Sequence, residues 1–363
     1  MKIVICGLAI TSSWGNGHAT TFRSLCRALA KRGHQIVFFE HDAEWYANNR
    51  DIPEPPYCTV INYSEWSGAL QRVRAELADC DVALIGSYFP HAREAMQEIS
   101  RSSAVKAFYD IDTPVTLSQL RETGETSYLH AGDIPSLDIY FSFTGGPALQ
   151  ELERTFGARK AVPLYCSVDT EKYSPLPINP DFACEVSYMG TYAPDRQPKL
   201  ESLVFATARQ RAHQRFIVAG PQYPDAIRWP DNVLRIEHLE PKYHPSLYSS
   251  SRLVLNVTRR DMVMAGYSPS VRLFEAAACG AAVVSDVWPG LSDFFAPGKE
   301  ILLASSAPDV ARYLDYSQSE LVQIGQAARE RVLAEHSSVR RAEQFETHIA
   351  SCLHPAMTAN AGD

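Results

Sequence analysis

Short, fully apolar runs recur along the first half of the chain, each separated from the next by a stretch with helical spacing. Residues 2–8 (KIVICGL), 34–40 (HQIVFFE), 81–89 (DVALIGSYF), 105–111 (VKAFYDI) and 137–144 (LDIYFSFT) have the pattern of buried strands. Between the first two, Phe22, Leu25, Cys26 and Leu29 share one face of a helix that Gly33 stops. Strands apolar on both faces and alternating with helices predict a parallel sheet covered on each side.

Residues 162–182 (VPLYCSVDTEKYSPLPINPDF) break this rhythm with four prolines and no periodicity, which predicts a link between domains. The alternation then resumes, with strands predicted at residues 184–190, 215–220, 232–239, 252–258, 281–286 and 301–305. Residues 319–353 look helical, polar outside, and long enough to lie across both domains. The expected organisation is a doubly wound domain over 1–165, a linker over 166–180, a second doubly wound domain over 181–335, and a C-terminal helix and tail over 336–363, with disorder only at 357–363.

At 363 residues the chain suits two domains, which makes a cleft between them possible. Its 45% hydrophobic and 21% charged residues are those of a globular protein without low-complexity tracts. The net charge of −8 is spread evenly, with 15 Lys+Arg against 19 Asp+Glu in residues 1–165 and 19 against 23 thereafter. No basic domain is present to grip nucleic acid by bulk charge. The first residues form a strand rather than a signal peptide, and no run approaches the ~20 apolar residues of a membrane helix. A cytoplasmic protein is expected, contact at a membrane surface staying open and oligomeric state being illegible. The eight cysteines include no CxxC pair and read as reduced, mostly buried thiols rather than a metal cluster.

Candidate chemistry in the second half centres on residues 266–286 (GYSPSVRLFEAAACGAAVVSD). Ser268 or Ser270 can cap a helix opening at Val271, whose first-turn N–H groups then suit a diphosphate. Glu275, one turn in, can accept hydrogen bonds from the vicinal hydroxyls of a ribose where it reaches solvent at a cleft wall. It can equally be a solvated residue on a half-buried helix. In the loop after residues 184–190, Gly190 and Thr191 allow close backbone approach, and Arg196 and Lys199 bring positive charge. Arg272 reads as a phosphate ligand or a partner for a carboxylate, and Gly220 permits close contact beside the base pocket.

In the first half, Gly15 and Gly17 form a loop before His18 at a helix start, a candidate general base or a capping histidine. Asp110 and Asp112 form an Asp-x-Asp at a strand end. Three roles are open to them: holding a divalent cation, orienting His18 or binding an acceptor, and capping the strand end. His91 opens another helix, and Gly145 and Gly146 form a turn before a further one, both suited to acceptor contacts.

Residues 266–303 resemble the donor-binding segment of GT-B glycosyltransferases, most closely the CgeB-like, spore-maturation-protein-like family, with its Arg-x-Phe-Glu-Ala-x-Ala-x-Gly helix. Residues 167–175 are similar to the GT-B interdomain linker, and residues 187–200 to the first donor-domain loop. The resemblance implies two Rossmann-like domains facing a cleft with a C-terminal helix crossing back, a nucleotide-diphosphate sugar as co-substrate, an acceptor held by the first domain, and Glu275 on the ribose. It also implies no resident cofactor or metal. Gly15–His18 is similar to a Gly-x-Gly-His turn of several inverting members. Many retaining members carry a second glutamate eight positions before the first, where this chain has Tyr267. Inversion is therefore favoured. The rival readings are a nucleotide-sugar 2-epimerase on the same scaffold, and a nucleotide- or sugar-binding protein without chemistry.

Overall fold

The computed structural model describes residues 1–14 and 17–353. Two compact units result: Met1–Tyr165 together with the chain from Ser338 onward, and Cys166–Ser337. In the first unit, strands β1 (Lys2–Cys6), β2 (Gln35–His41), β3 (Thr59–Tyr63), β4 (Val82–Gly86), β5 (Val105–Asp110), β6 (Ile139–Ser142) and β7 (Ala161–Pro163) form one sheet in the order β3-β2-β1-β4-β5-β6-β7. Every pairing is parallel, with Val4 opposite Val37 on one side and Ala83 on the other. The cause is visible in β4, where all five residues are buried: a strand without a wet face needs helices above and below.

The second unit repeats the plan with β8 (Cys184–Met189), β9 (Phe216–Ala219), β10 (Val233–Ile236), β11 (Ser251–Asn256), β12 (Val283–Ser285) and β13 (Leu302–Leu303), ordered β10-β9-β8-β11-β12-β13 and again parallel. In each sheet the winding reverses between two central neighbours, β1 and β4 in the first and β8 and β11 in the second. Loops leaving those strand pairs diverge and leave a crevice at their carboxyl ends, the usual ligand position in open α/β sheets.

Helix Gly17–Lys31 buries Phe22, Leu25, Cys26 and Leu29, the face its spacing predicts, and Gly33 ends it in the left-handed region (φ 85°). Strands β3 and β7 lie outside the predicted set. Both are sheet edges; β3 is mostly half-exposed and β7 has three residues, so neither carries a continuous apolar run.

The expected linker 166–180 is instead packed onto the second unit. Cys166 Sγ lies 3.3 Å from the Pro269 carbonyl, and Tyr173 is buried beside His244. The helical stretch expected over 319–353 is broken at Ser337, whose backbone is extended (ψ 156°). Beside that break the Val168 N–H reaches the His336 carbonyl at 3.2 Å. Helix Gln318–Arg331 thus belongs to the second unit and helix Ser338–Leu353 to the first. There Phe345 stacks on Phe141 at 5.2 Å, and Glu346 takes Arg32 at 2.7 Å and His34 at 2.6 Å. The tail predicted to be disordered lies outside the described residues.

Candidate functional site

At the β8/β11 switch of the second unit, Arg272 and Asn256 organise the crevice. Helix Val271–Ala278 is buried along almost its whole length, packed against helices Gln318–Arg331 and His244–Ser250. Arg272, in its first turn, turns back across the strand ends. Its Nε donates to the Met189 carbonyl, its Nη1 to Asn256 Oδ1 at 2.9 Å, and its guanidinium lies 4.7 Å from the Tyr188 ring centre. A Cβ on Gly190 would stand 2.8 Å from both Arg272 Nη2 and Tyr188 Oη, so a side chain there would displace one of them. Gly220 is forced: at φ 144° a side chain would overlap the Gly190 carbonyl.

Arg196 joins Arg272 at this spot. Its Nη2 donates to the Thr191 carbonyl at 2.5 Å, while its Nε is buried with no hydrogen-bond partner among the described residues. Burial lowers its pKa, and the like charges of Arg272 and Arg259 add to that effect. Among the described residues neither Arg196 nor Arg272 pairs with a carboxylate. Cations removed from water are ordinarily matched by an anion. Two adjacent guanidinium groups without one, at the opening of a helix, make an anion-binding constellation.

Three expectations for this site need correction. Lys199 is not a spare cation: it is paired with Asp286, whose other oxygen accepts from the Thr258 N–H at 3.0 Å and hydroxyl at 2.8 Å. Neither serine caps the helix. Ser270 occupies the N-cap position, but its hydroxyl donates to Asn256 Oδ1 at 2.7 Å and makes no cap; Ser268 is buried with its Oγ 2.9 Å from Met262 Sδ. The Ser270 side chain thus gives the first turn no cap, and the Leu273 N–H is taken by the Ser270 carbonyl at 3.1 Å, which leaves the N–H groups of Val271 and Arg272 facing the opening. Glu275 is 4% exposed rather than solvated, since its helix has neighbours on both flanks. Tyr248 donates a hydrogen bond to its Oε2 at 3.1 Å.

Tyr267 takes a left-handed conformation (φ 47°), rare for an aromatic residue. Its N–H donates to the Pro289 carbonyl at 2.7 Å and its ring covers Gly290, where a Cβ would collide with it. Sequence reasoning missed Asn256, Asp286, Tyr248 and Tyr173. The first two had a signal, a polar residue closing an apolar strand (LVLN, VVSD). The tyrosines had none, since nothing in the local pattern directs their hydroxyls.

In the first unit, the β1/β4 switch lies beside His18 and Tyr88. His18, second residue of helix Gly17–Lys31, is buried, with Nε2 3.3 Å from Asp112 Oδ2 and its ring edge-on to Tyr88 at 5.4 Å. Asp112 is at the N-cap of helix Thr113–Thr123 yet caps nothing with its side chain, so its carboxylate is available to orient the imidazole. Asp110 does other work. Fully buried, it accepts from Tyr140 Oη at 2.7 Å, from Thr116 Oγ1 at 3.0 Å and from the Asp112 N–H at 3.2 Å. Burial pushes its carboxyl up to about 6. It holds the turn that aims Asp112 and has no surface to offer substrate or cation, so the Asp-x-Asp is divided between two tasks.

Gly17 opens its helix with open space around it, and Gly15 lies outside the described residues. Gly146 (φ 59°) precedes helix Pro147–Arg154, and a Cβ on Gly145 would overlap the Tyr165 hydroxyl. His91 stands at the start of helix Ala92–Ile99, stacked on Trp66 at 5.6 Å among His41, Tyr63 and Phe89, where burial lowers its pKa.

The model of a family described as glycosyl transferase-like matches residues 196–347, from Arg196 to the C-terminal helix. Among solved structures, sucrose-phosphate synthase from Thermosynechococcus elongatus superposes with a TM-score of 0.67 at 14% identity, covering 98% of this chain and 100% of that one. Anabaena Alr3699/HepE in complex with UDP and glucose gives 0.66 at 12%, covering 97% and 100%. An alpha-glucosyltransferase in complex with UDP-glucose and DNA containing an abasic site gives 0.68 at 13%, covering 96% and 99%. No curated protein matches the chain in sequence. The chain has the GT-B fold, its two parallel sheets following those structures almost end to end, and carries a glycosyl transferase-like region over residues 196–347.

Proposed function

We propose that the protein is a glycosyltransferase that moves a sugar from a nucleoside-diphosphate sugar to an acceptor held by its first unit. The observation that carries this is the pair of guanidinium groups, Arg196 and Arg272, lacking a carboxylate partner at the opening of the helix that bears Glu275. A diphosphate supplies the missing negative charge, and its ribose lies within a turn of the helix, toward Glu275. The neighbours solved with UDP or UDP-glucose support a nucleotide sugar as the donor class. The similarity of residues 266–303 to CgeB-like proteins supports the same assignment at finer grain.

The mechanism we infer is direct displacement with inversion. The acceptor oxygen bonds to the anomeric carbon while the bond from that carbon to the phosphate oxygen breaks. His18, held by Asp112 at 3.3 Å, takes the acceptor's proton. The negative charge growing on the diphosphate meets Arg196, Arg272 and the uncapped helix opening, a fixed cationic clamp that makes a divalent metal unnecessary. Tyr267, which cannot act as a carboxylate, favours this course over retention. A cytoplasmic setting fits the cysteines, none of which is bridged among the described residues. Among those residues no helix is long and apolar enough to cross a membrane.

Thermal-shift titration with UDP, GDP, dTDP and CMP tests the donor assignment. At least one should raise the melting temperature of the wild type and fail with Glu275→Ala; equal stabilisation of both proteins ends the assignment. Product formed from donor without acceptor would point to epimerisation instead.

A further inference from the structure

Glu275 sits in a hydrogen-bond arrangement more selective than a carboxylate at a water-filled wall. Tyr248 is fully buried and donates to Glu275 Oε2 at 3.1 Å; burial raises its pKa far above the usual tyrosine value, so the hydroxyl keeps its proton and stays a donor. Tyr173 offers a second hydroxyl to Glu275, and the same oxygen lies 3.3 Å from His244 Nδ1. His244 Nε2 is 3.1 Å from the Leu239 carbonyl, which can only accept, and burial lowers the imidazole pKa and keeps the ring neutral. The ring proton is therefore on Nε2, and Nδ1 is an acceptor. Tyr173 has one proton to divide between Nδ1 and Glu275. Tyr248 is the constant partner.

A carboxylate has about four acceptor positions. With Tyr248 on one and Tyr173 drawn toward another, about two are left, the number a cis-diol fills. Resting on the assignment of Glu275 to the donor's sugar ring, we infer that Tyr248 is a positioning residue that makes this site select ribonucleotides over 2′-deoxyribonucleotides. A 2′-deoxy ligand shuts water out of the contact without supplying the second hydroxyl. The carboxylate is then left one donor short in a desolvated place, and sites built to receive a hydroxyl reject analogues lacking it by tenfold or far more.

The test is calorimetric titration of the full-length protein with UDP, GDP and ADP, each beside its 2′-deoxy counterpart. For the base that binds, the ribonucleotide should bind at least about tenfold tighter. Tyr248→Phe should narrow that ratio to about threefold or less, because a misplaced carboxylate costs the ribonucleotide two hydroxyl contacts and its 2′-deoxy counterpart one. A variant with a lowered melting temperature and an unchanged ratio shows a merely structural tyrosine and overturns the inference. Wild type that binds both forms of one base equally overturns it too, while leaving the donor assignment standing. Binding of none of the six removes both. If Tyr248→Phe does not fold, Tyr173→Phe replaces it: its partial share of the carboxylate should narrow the ratio by a smaller factor, and no narrowing overturns the inference.

Discussion

The two switch-point crevices are built in opposite ways. In the second unit, Glu275, Arg272, Asn256 and Asp286 are all buried and held by named hydrogen bonds, so the groups are set before a ligand arrives. In the first, the proposed chemistry rests on one histidine oriented by one carboxylate at two helix starts, with a fully buried aspartate behind them. Binding a diphosphate and ribose rewards a fixed, desolvated frame; moving a proton rewards a group whose protonation state can change. Under the proposed function, one half of the molecule is organised for affinity and the other for turnover.

The largest expected effect separates those roles. His18→Ala should lower kcat by about 10²–10⁴-fold while nucleotide affinity, read by calorimetry, stays the same. Unchanged turnover would remove the first crevice from the chemistry. Arg272→Ala should do the reverse, weakening the nucleotide by on the order of 100-fold through loss of a buried cation and its hydrogen bonds. An affinity within threefold of wild type would break the second half of the comparison.

A smaller effect concerns Asp110 and is one of stability. Its folded pKa, raised to about 6, exceeds the ordinary value of 3.8, so its contribution to stability is complete below about pH 4 and is lost as pH rises to 6. Asp110→Asn lacks that titration. It should gain on the wild type by about 2 kcal/mol between pH 4 and pH 7, measured by urea unfolding at both. A constant difference between the two proteins would mean that Asp110 stays ionised throughout. The smallest effect is reserved for Lys199→Ala, whose cation is already matched by Asp286. Nucleotide affinity should move by less than about threefold, the range of a partly exposed pair; a loss like that of Arg272→Ala would make Lys199 a direct phosphate ligand.

Eleven strands were legible because a central parallel strand is apolar on both faces and its helices keep their period. The edges β3 and β7 were not, since one wet face or a length of three residues erases the signal. The helix of Arg272 and Glu275 was legible as a unit, but the burial of Glu275 was not: it depends on helices from residues 244–250 and 318–331 closing over it, contacts far away in sequence. The same holds for Lys199, whose partner is 87 positions on. For the Asp-x-Asp, spacing put both carboxylates at a strand end. Only the hydroxyl of Tyr140, from the adjacent strand, assigns one to the interior and leaves the other for His18.

The break at Ser337 returns the last helix to the first unit, covering Phe141 and taking Arg32 and His34 through Glu346. On the ribosome, then, the N-terminal sheet is made first and finished last, its outer layer arriving only after the whole second unit has emerged. A chain cut at residue 165 would leave that face bare and greasy, and its natural fate would be aggregation rather than a soluble half-enzyme.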